Sequence, residues 1–226
     1  MALKPSQRLT SDRHLAEAVT ALARQCAHMR QIHAQHGMPP LRDFNAGFSG
    51  LAKIVTGQQL SIASANAIWS RVSAAIQPFE AERLLAMPDA GLAKLGLSRA
   101  KIRTLKALAA AVMSGELNFR ALNKRTDLAI HETLTALHGI GPWTADIYLL
   151  FALRRADAFA AGDLALQIAA QGILDLDQRP TAAQLSHIAE RWRPFRAVAA
   201  RLLWSHYGAS RNKAKPVKAE KARSKR

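Results

Sequence analysis

Apolar residues recur at helical spacing through almost the whole chain, and no segment sustains an alternation of period two. That pattern fixes the fold class, because a helix buries one stripe of a 3.6-residue repeat whereas a half-buried strand needs every second side chain. The chain reads as all-α. Start and stop signals divide it: Ser11 and Asp12 open a helix predicted to run as one piece to His36, before Gly37-Met38-Pro39-Pro40. Further helices are predicted near 48–56, from Gly57 to about 76, and over 80–86, 89–95, 99–114, 127–137, 142–153 and 164–174. A last helix is predicted over 181–206, bent or interrupted at Pro194. No internal repeat of fixed period is present.

The net charge of +16 constrains the partner. Residues 209–226 carry eight Lys/Arg against Glu220 alone, so a basic tail supplies nearly half of it and the body remains basic. A polyanionic partner suits both, since each neutralised phosphate releases condensed counterions; ribosomal, membrane-surface and solubilising roles share that signal. The tail lacks an apolar face beyond Tyr207 and is expected to be disordered, which places the folded unit at 1–208. No apolar run approaches the ~20 residues of a membrane span, and the first residues lack a secretory signal, so a cytoplasmic, nucleoid-associated monomer without membrane contact is expected. The single cysteine, Cys26, excludes a disulfide framework and an Fe–S cluster held by four thiolates. Cys26, His28, His33 and His36 do not follow a usual zinc spacing, so no side-chain metal site is expected.

The most informative segment is Leu137-His138-Gly139-Ile140-Gly141-Pro142-Trp143-Thr144-Ala145. Two glycines around one apolar residue permit a tight turn with bare backbone amides, and Pro142 suits the first turn of the helix that follows. Such amides, backed by a helix dipole, hold a phosphate without reading sequence, with Ile140 as a plug between the helices. An ordinary helical corner has the same pattern. Asp163 precedes Leu-Ala-Leu-Gln and reads locally as a helix N-cap; Asp157 reads as a residue that holds the loop or sits in solvent. Trp143 and Trp204 suit core packing or an aromatic face for a ligand.

Five ordered segments remove part of this ambiguity: Gly57-Gln58-Gln59-Leu60-Ser61, Leu95-Gly96-Leu97-Ser98-Arg99-Ala100-Lys101, the hairpin, Asp157-Ala158-Phe159-Ala160-Ala161-Gly162-Asp163, and Glu190-Arg191-Trp192-Arg193-Pro194-Phe195-Arg196. Together they resemble the DNA-3-methyladenine glycosylase II family of the helix–hairpin–helix DNA glycosylase superfamily, over roughly residues 45–207. The resemblance implies a minimal, two-lobed all-α fold without an added β-rich lobe. One lobe would hold residues 45–141 and the other 1–44 with 142–208, and the active-site cleft would lie between them. It implies removal of alkylated bases such as 3-methyladenine from damaged double-stranded DNA by base flipping, as the first step of base excision repair.

By the same resemblance Asp163 is the catalytic carboxylate, twenty residues after Trp143. Trp143, Trp204, Leu164 and Ile147 line the base pocket, with aliphatic residues at the last two positions where some relatives carry aromatics. Gln59, or alternatively Gln58, fills the hole left by the flipped base. Gly139, Ile140, Gly141, Thr144, Arg99 and Lys101 contact phosphate. A structural K⁺ or Na⁺ on hairpin carbonyls near 137–142 is a further implication, with no other cofactor. Trp143 stands where bifunctional relatives carry a Schiff-base lysine, so a monofunctional hydrolase is expected. The rival reading is a non-catalytic DNA-binding or damage-recognition module, which has no need of Asp163.

Overall fold

The computed structural model describes residues 8–42 and 44–213, and the described residues form thirteen α-helices with one π-helical and one 3₁₀ turn. Apart from an isolated bridge between Arg8 and Arg155, they contain no strand pairing. The first helix, α1 (Asp12–Gln25), is capped by Ser11, whose hydroxyl accepts from His14 N, and buries Leu15, Ala18, Val19 and Leu22 on one face. It does not run on to His36. Cys26 is extended (φ −138°, ψ 117°), and α2 (Ala27–His36) starts afresh with Met29 and Ile32 buried. The interruption has a tertiary partner: the Gln25 side-chain amide donates to the carbonyls of Arg191 and Arg193, 166 and 168 residues away.

The next helices are α3 (Phe48–Gly57), α4 (Ile62–Ala75), α5 (Ala81–Ala86), α6 (Asp89–Lys94) and α7 (Arg99–Met113). Leu51, Ile54 and Val55 make α3 the buried member, packed on α4 and α7, while α5 and α6 cover the other side of α7. A short α8 (Phe119–Leu122), which the apolar pattern does not announce, leads to α9 (Asp127–Thr135) and α10 (Pro142–Ile147), the two helices of the hairpin. The expected helix over 142–153 changes type midway. Tyr148–Ala152 forms a π-turn in which Leu153 N–H reaches back to Tyr148 O, and all five of its residues are buried.

After a loop come α11 (Leu164–Ile173), α12 (Ala182–Ala189) with a Thr181/Gln184 capping box, a 3₁₀ turn (Glu190–Trp192) and α13 (Arg196–Lys213). Buried Ala197–Ala200, Leu202 and Leu203 run along α13, which packs on α1, α2 and α11. Helix continues past its expected end at 206 and past the expected edge of the folded unit at 208, where Arg211 stacks its guanidinium over Tyr207 and Ser210 Oγ donates to His206 O. The rest of the expected basic tail, 214–226, lies outside the described residues.

Asp157 anchors the loop before α11. It is 4% exposed and receives three bonds from Arg196 (Nε and Nη2 at 3.0 Å, backbone N–H at 3.4 Å) and one from Arg193 Nη1. The adjacent Ala156 carbonyl accepts from Ala197 N–H, so the loop is clamped to the start of α13. Charge-assisted bonds to a buried carboxylate are each worth about 1.5–3 kcal/mol, discounted here because Arg193 is half exposed. Asp157→Asn is therefore expected to lower unfolding free energy by about 2 kcal/mol in urea denaturation, and an unchanged midpoint would remove the anchoring role.

Candidate active site

The hairpin is built by a single left-handed residue. Gly139 has φ +76°, and a Cβ there would strike the side chain of Thr104 on α7. Ile140 points inward and is buried, and its N–H returns to Leu137 O. Gly139, Gly141 and Pro142 lie exposed on the other side, so the backbone of the turn faces solvent as a phosphate-binding edge requires. Thr144 departs from expectation: it is buried, and its hydroxyl accepts from Gln58 Nε2 at 2.8 Å. Its hydroxyl thereby holds the neighbouring loop.

That loop follows α3. Gln58 also donates to Gly139 O (3.3 Å), and Lys101 Nζ donates to Thr56 O (2.8 Å) in the last turn of α3. Burial pulls the Lys101 ammonium below the ordinary lysine range. Gln58, the alternative wedge residue, and Lys101, expected at phosphate, both bond internally here and link α3, the hairpin and α7. Gln59 is left exposed at the tip with φ +56°, a conformation non-glycine residues adopt only where the surroundings impose it. Of the two glutamines, Gln59 has the geometry of a side chain presented outward. Arg99, in the first turn of α7, is also exposed.

Asp163 sits where three helices meet. It caps α11, with Oδ1 accepting from Leu166 N–H at 3.1 Å. The same oxygen accepts from Trp204 Nε1 on α13 at 3.0 Å, and Oδ2 accepts from Trp143 Nε1 on α10 at 2.8 Å. Asp163 itself is half-buried, so the carboxylate is held in one orientation yet open on one side. The two local readings, cap and functional carboxylate, coexist in one side chain. Leu164 beside it is 54% exposed, whereas Ile147 is buried.

Trp204 also stacks on Phe151 of the π-turn (centroids 5.5 Å apart, 27° between planes) and walls a cavity of about 130 Å³. Its other lining residues are Pro40, Arg42, Phe151, Arg201 and Ser205, none of which motif reading singled out. Phe151 follows Ile147 by one helical turn and Arg201 precedes Trp204 by one, so helical spacing from expected pocket positions is the signal that marks them. Burial, then repulsion from Arg42 and Arg154, pushes the Arg201 guanidinium down to about 10. Burial also raises the Asp146 carboxyl, between the hairpin helices and 3.6 Å from His131 Nε2, to about 7. Among the described residues no cluster of His, Cys, Asp and Glu is arranged to hold a metal, and no helix is long and apolar enough to cross a membrane.

Comparison with known proteins adds independent findings. Residues 52–194 match the model of the HhH-GPD superfamily base excision DNA repair proteins. The chain is 32% identical over 161 residues to DNA-3-methyladenine glycosylase 1 of Schizosaccharomyces pombe, covering 70% of this chain and 71% of that protein. A solved DNA-3-methyladenine glycosidase from Bacillus halodurans superposes with TM-score 0.73 at 28% identity, over 92% of this chain and 94% of that one. The S. pombe 3-methyladenine DNA glycosylase in complex with abasic DNA gives TM-score 0.75 at 27% identity, over 83% and 95%. An 8-oxoguanine glycosylase/lyase from Clostridium acetobutylicum shares the fold (TM-score 0.75, 16% identity, over 88% and 70%).

The hairpin geometry yields a direct test. Gly139→Ala must both hold a positive φ and displace Thr104, penalties that together are expected to lower stability by about 2–4 kcal/mol. Urea denaturation measures this, and a loss below about 0.5 kcal/mol would show that the turn relaxes without its glycine.

Proposed function

Because the chain belongs to the HhH-GPD superfamily of base excision DNA repair proteins, we propose that it hydrolyses the N-glycosidic bond of alkylated purines in double-stranded DNA. The reading adds that it does so without strand cleavage, as a monomer. The observation that carries the proposal is the Asp163 carboxylate, fixed by two indole N–H groups and a helix N-terminus while one side stays open.

The chemistry follows from that geometry. Breaking the C1′–N bond leaves positive charge on the sugar, and a carboxylate already oriented toward the developing cation stabilises it without reorganising. The base departs with the bonding electron pair, and water then adds to C1′ and gives up a proton to the Asp163 carboxylate. The target must leave the stack to reach Asp163, and Gln59 at its exposed tip is placed to fill the gap. The hairpin amides of Gly139 to Gly141, with Arg99, would hold the backbone, and the DNA would enter between helices of residues 45–141 and the remainder. Lesions methylated at N3 or N7 carry positive charge, which the electron-rich faces of Trp143 and Trp204 attract. The main-chain carbonyls of Leu137 and Gly139 each accept one internal bond and keep a second lone pair, so they suit K⁺ or Na⁺. Such an ion would add positive charge beneath the bound phosphate.

A lyase step needs an amine at C1′. Position 143 offers an indole, and the Lys101 ammonium is engaged at Thr56 O. Borohydride is accordingly expected to trap no covalent enzyme–DNA adduct during turnover, and the product strand to stay intact until treated with alkali. Efficient trapping would refute the monofunctional assignment.

Asp163→Asn is expected to reduce single-turnover release of 3-methyladenine on the order of 10²-fold or more. The amide still accepts from Leu166 N–H and Trp204 through its oxygen, but its NH₂ then opposes the Trp143 N–H, so a small loss of stability accompanies the lost charge. Near-normal release by the folded variant would leave the non-catalytic DNA-binding reading in its place.

A further inference from the structure

The loop after α3 is a type II turn. Gly57 O accepts from Leu60 N–H at 3.2 Å, Gln58 has φ −51° and ψ 133°, and Gln59 follows with φ +56°. The third position of such a turn requires a positive φ, so glycine is the usual residue there; here a long side chain stands in its place. Gln59 is exposed, and among the described residues its side chain has no hydrogen-bond partner. A strained residue without an internal contact points to a role outside the fold. Gln58 is the opposite case. It is half-buried, and its side-chain amide donates to Thr144 Oγ1 at 2.8 Å and to Gly139 O at 3.3 Å, 86 and 81 residues further along the chain. Thr144 is buried and Gly139 is pressed against Thr104, so both acceptors are themselves fixed.

We propose that Gln58 is a positioning residue: its two bonds lock the type II turn to the hairpin, so that Gln59 is presented to the gap left by a flipped base while the hairpin holds the adjacent backbone. The inference rests on the glycosylase reading above, which places Gln59 in that gap. A turn with an unfavourable φ would otherwise relax, and ordering it during insertion would cost part of the free energy that keeps the base outside the stack. The Gln58 bonds make that ordering part of folding. Lys101 holds the chain just before the turn through Thr56 O, and Ser61 caps α4 just after it, so Gln58 supplies the anchor between those two supports. With both amide hydrogens of Gln58 engaged at the hairpin, the residue acts through Gln59 and not as a donor to DNA.

The test is a double-mutant cycle read at two stages. Gln58→Met keeps the side-chain length and removes both donors; Gln59→Ala removes the wedge and keeps a Cβ on the turn. Each single variant is expected to slow single-turnover release of 3-methyladenine by about tenfold at saturating enzyme, with affinity for undamaged duplex changed less than about threefold. The double variant is expected to fall within about twofold of Gln59→Ala, because a residue that acts through Gln59 then has nothing to position. Losses that multiply, no loss from Gln58→Met, or an equal loss of affinity for undamaged DNA would overturn the proposal. Thr144→Val deletes the acceptor of the shorter bond and keeps the side-chain shape. It is expected to give a smaller loss of the same kind, and it serves as the test if Gln58→Met does not fold, as judged by thermal unfolding. Insertion is followed without turnover by 2-aminopurine placed beside a tetrahydrofuran abasic site. Binding of wild-type protein is expected to change its fluorescence, and Gln58→Met and Gln59→Ala to lose most of that change. If Gln58→Met loses the change while wild-type protein shows it but releases no base, the glycosylase reading fails and the positioning role stands. If the fluorescence is the same for wild type and Gln58→Met, the positioning role fails whatever the release rates.

Discussion

The grip of three N–H donors on the Asp163 carboxylate is the interaction around which this molecule is organised. One donor comes from the backbone of α11, one from Trp143 on α10 and one from Trp204 on α13, three elements that share no local chain. Each indole offers a single donor on a rigid bicycle, so its bond to an oxygen of Asp163 also fixes the ring plane beside that oxygen. The orientation of the carboxylate and the placement of the aromatic faces are therefore one geometric fact. Preorganisation of this kind is what an electrostatic contribution to catalysis requires, because a carboxylate that must first turn toward the developing charge gives back much of its advantage.

The neighbouring aspartate shows the opposite use of the same chemistry. Asp157 is buried and saturated by Arg193 and Arg196, which makes it a fastener for the loop and leaves no lone pair facing outward. Asp163 receives neutral N–H donors only and keeps one side open. Two carboxylates six residues apart are thus divided into structural and chemical roles by their partners: guanidinium pairs hold the first in the core, and the indoles position the second at the surface.

A second rigid unit lies across the site. Gln58 links the α3–α4 loop to the hairpin through Gly139 O and Thr144 Oγ1, and Lys101 links the end of α3 to α7. With Gly139 pressed against Thr104, the hairpin turn and the loop that carries Gln59 are tied to the same framework. The tip that carries Gln59 is thereby fixed relative to the hairpin turn. The unusual φ of Gln59 is sustained by these anchors on either side.

Local sequence was enough to determine that the chain is helical, where most helices start and stop, and that Gly139-Ile140-Gly141-Pro142 forms a turn. Capping side chains, prolines, glycines and a 3.6-residue apolar repeat act within a few residues of where they stand. The candidate carboxylate was legible too, although its neighbourhood describes an N-cap and only the order of distant motifs suggested more. Tertiary structure alone decided the rest. Cys26 breaks a helix because Gln25 finds carbonyls 166 and 168 residues away. Arg211 lies over Tyr207 on the last turns of α13, and Thr144 and Lys101 bond to residues 86 and 45 positions away. Arg201 was invisible in an apolar helix, and only the fold shows its guanidinium buried over the Phe151 ring with Nη2 donating to Leu150 O. In each case the deciding partner lies across the fold, and a hydrogen bond or desolvated charge depends on what is near in space, which local periodicity does not encode.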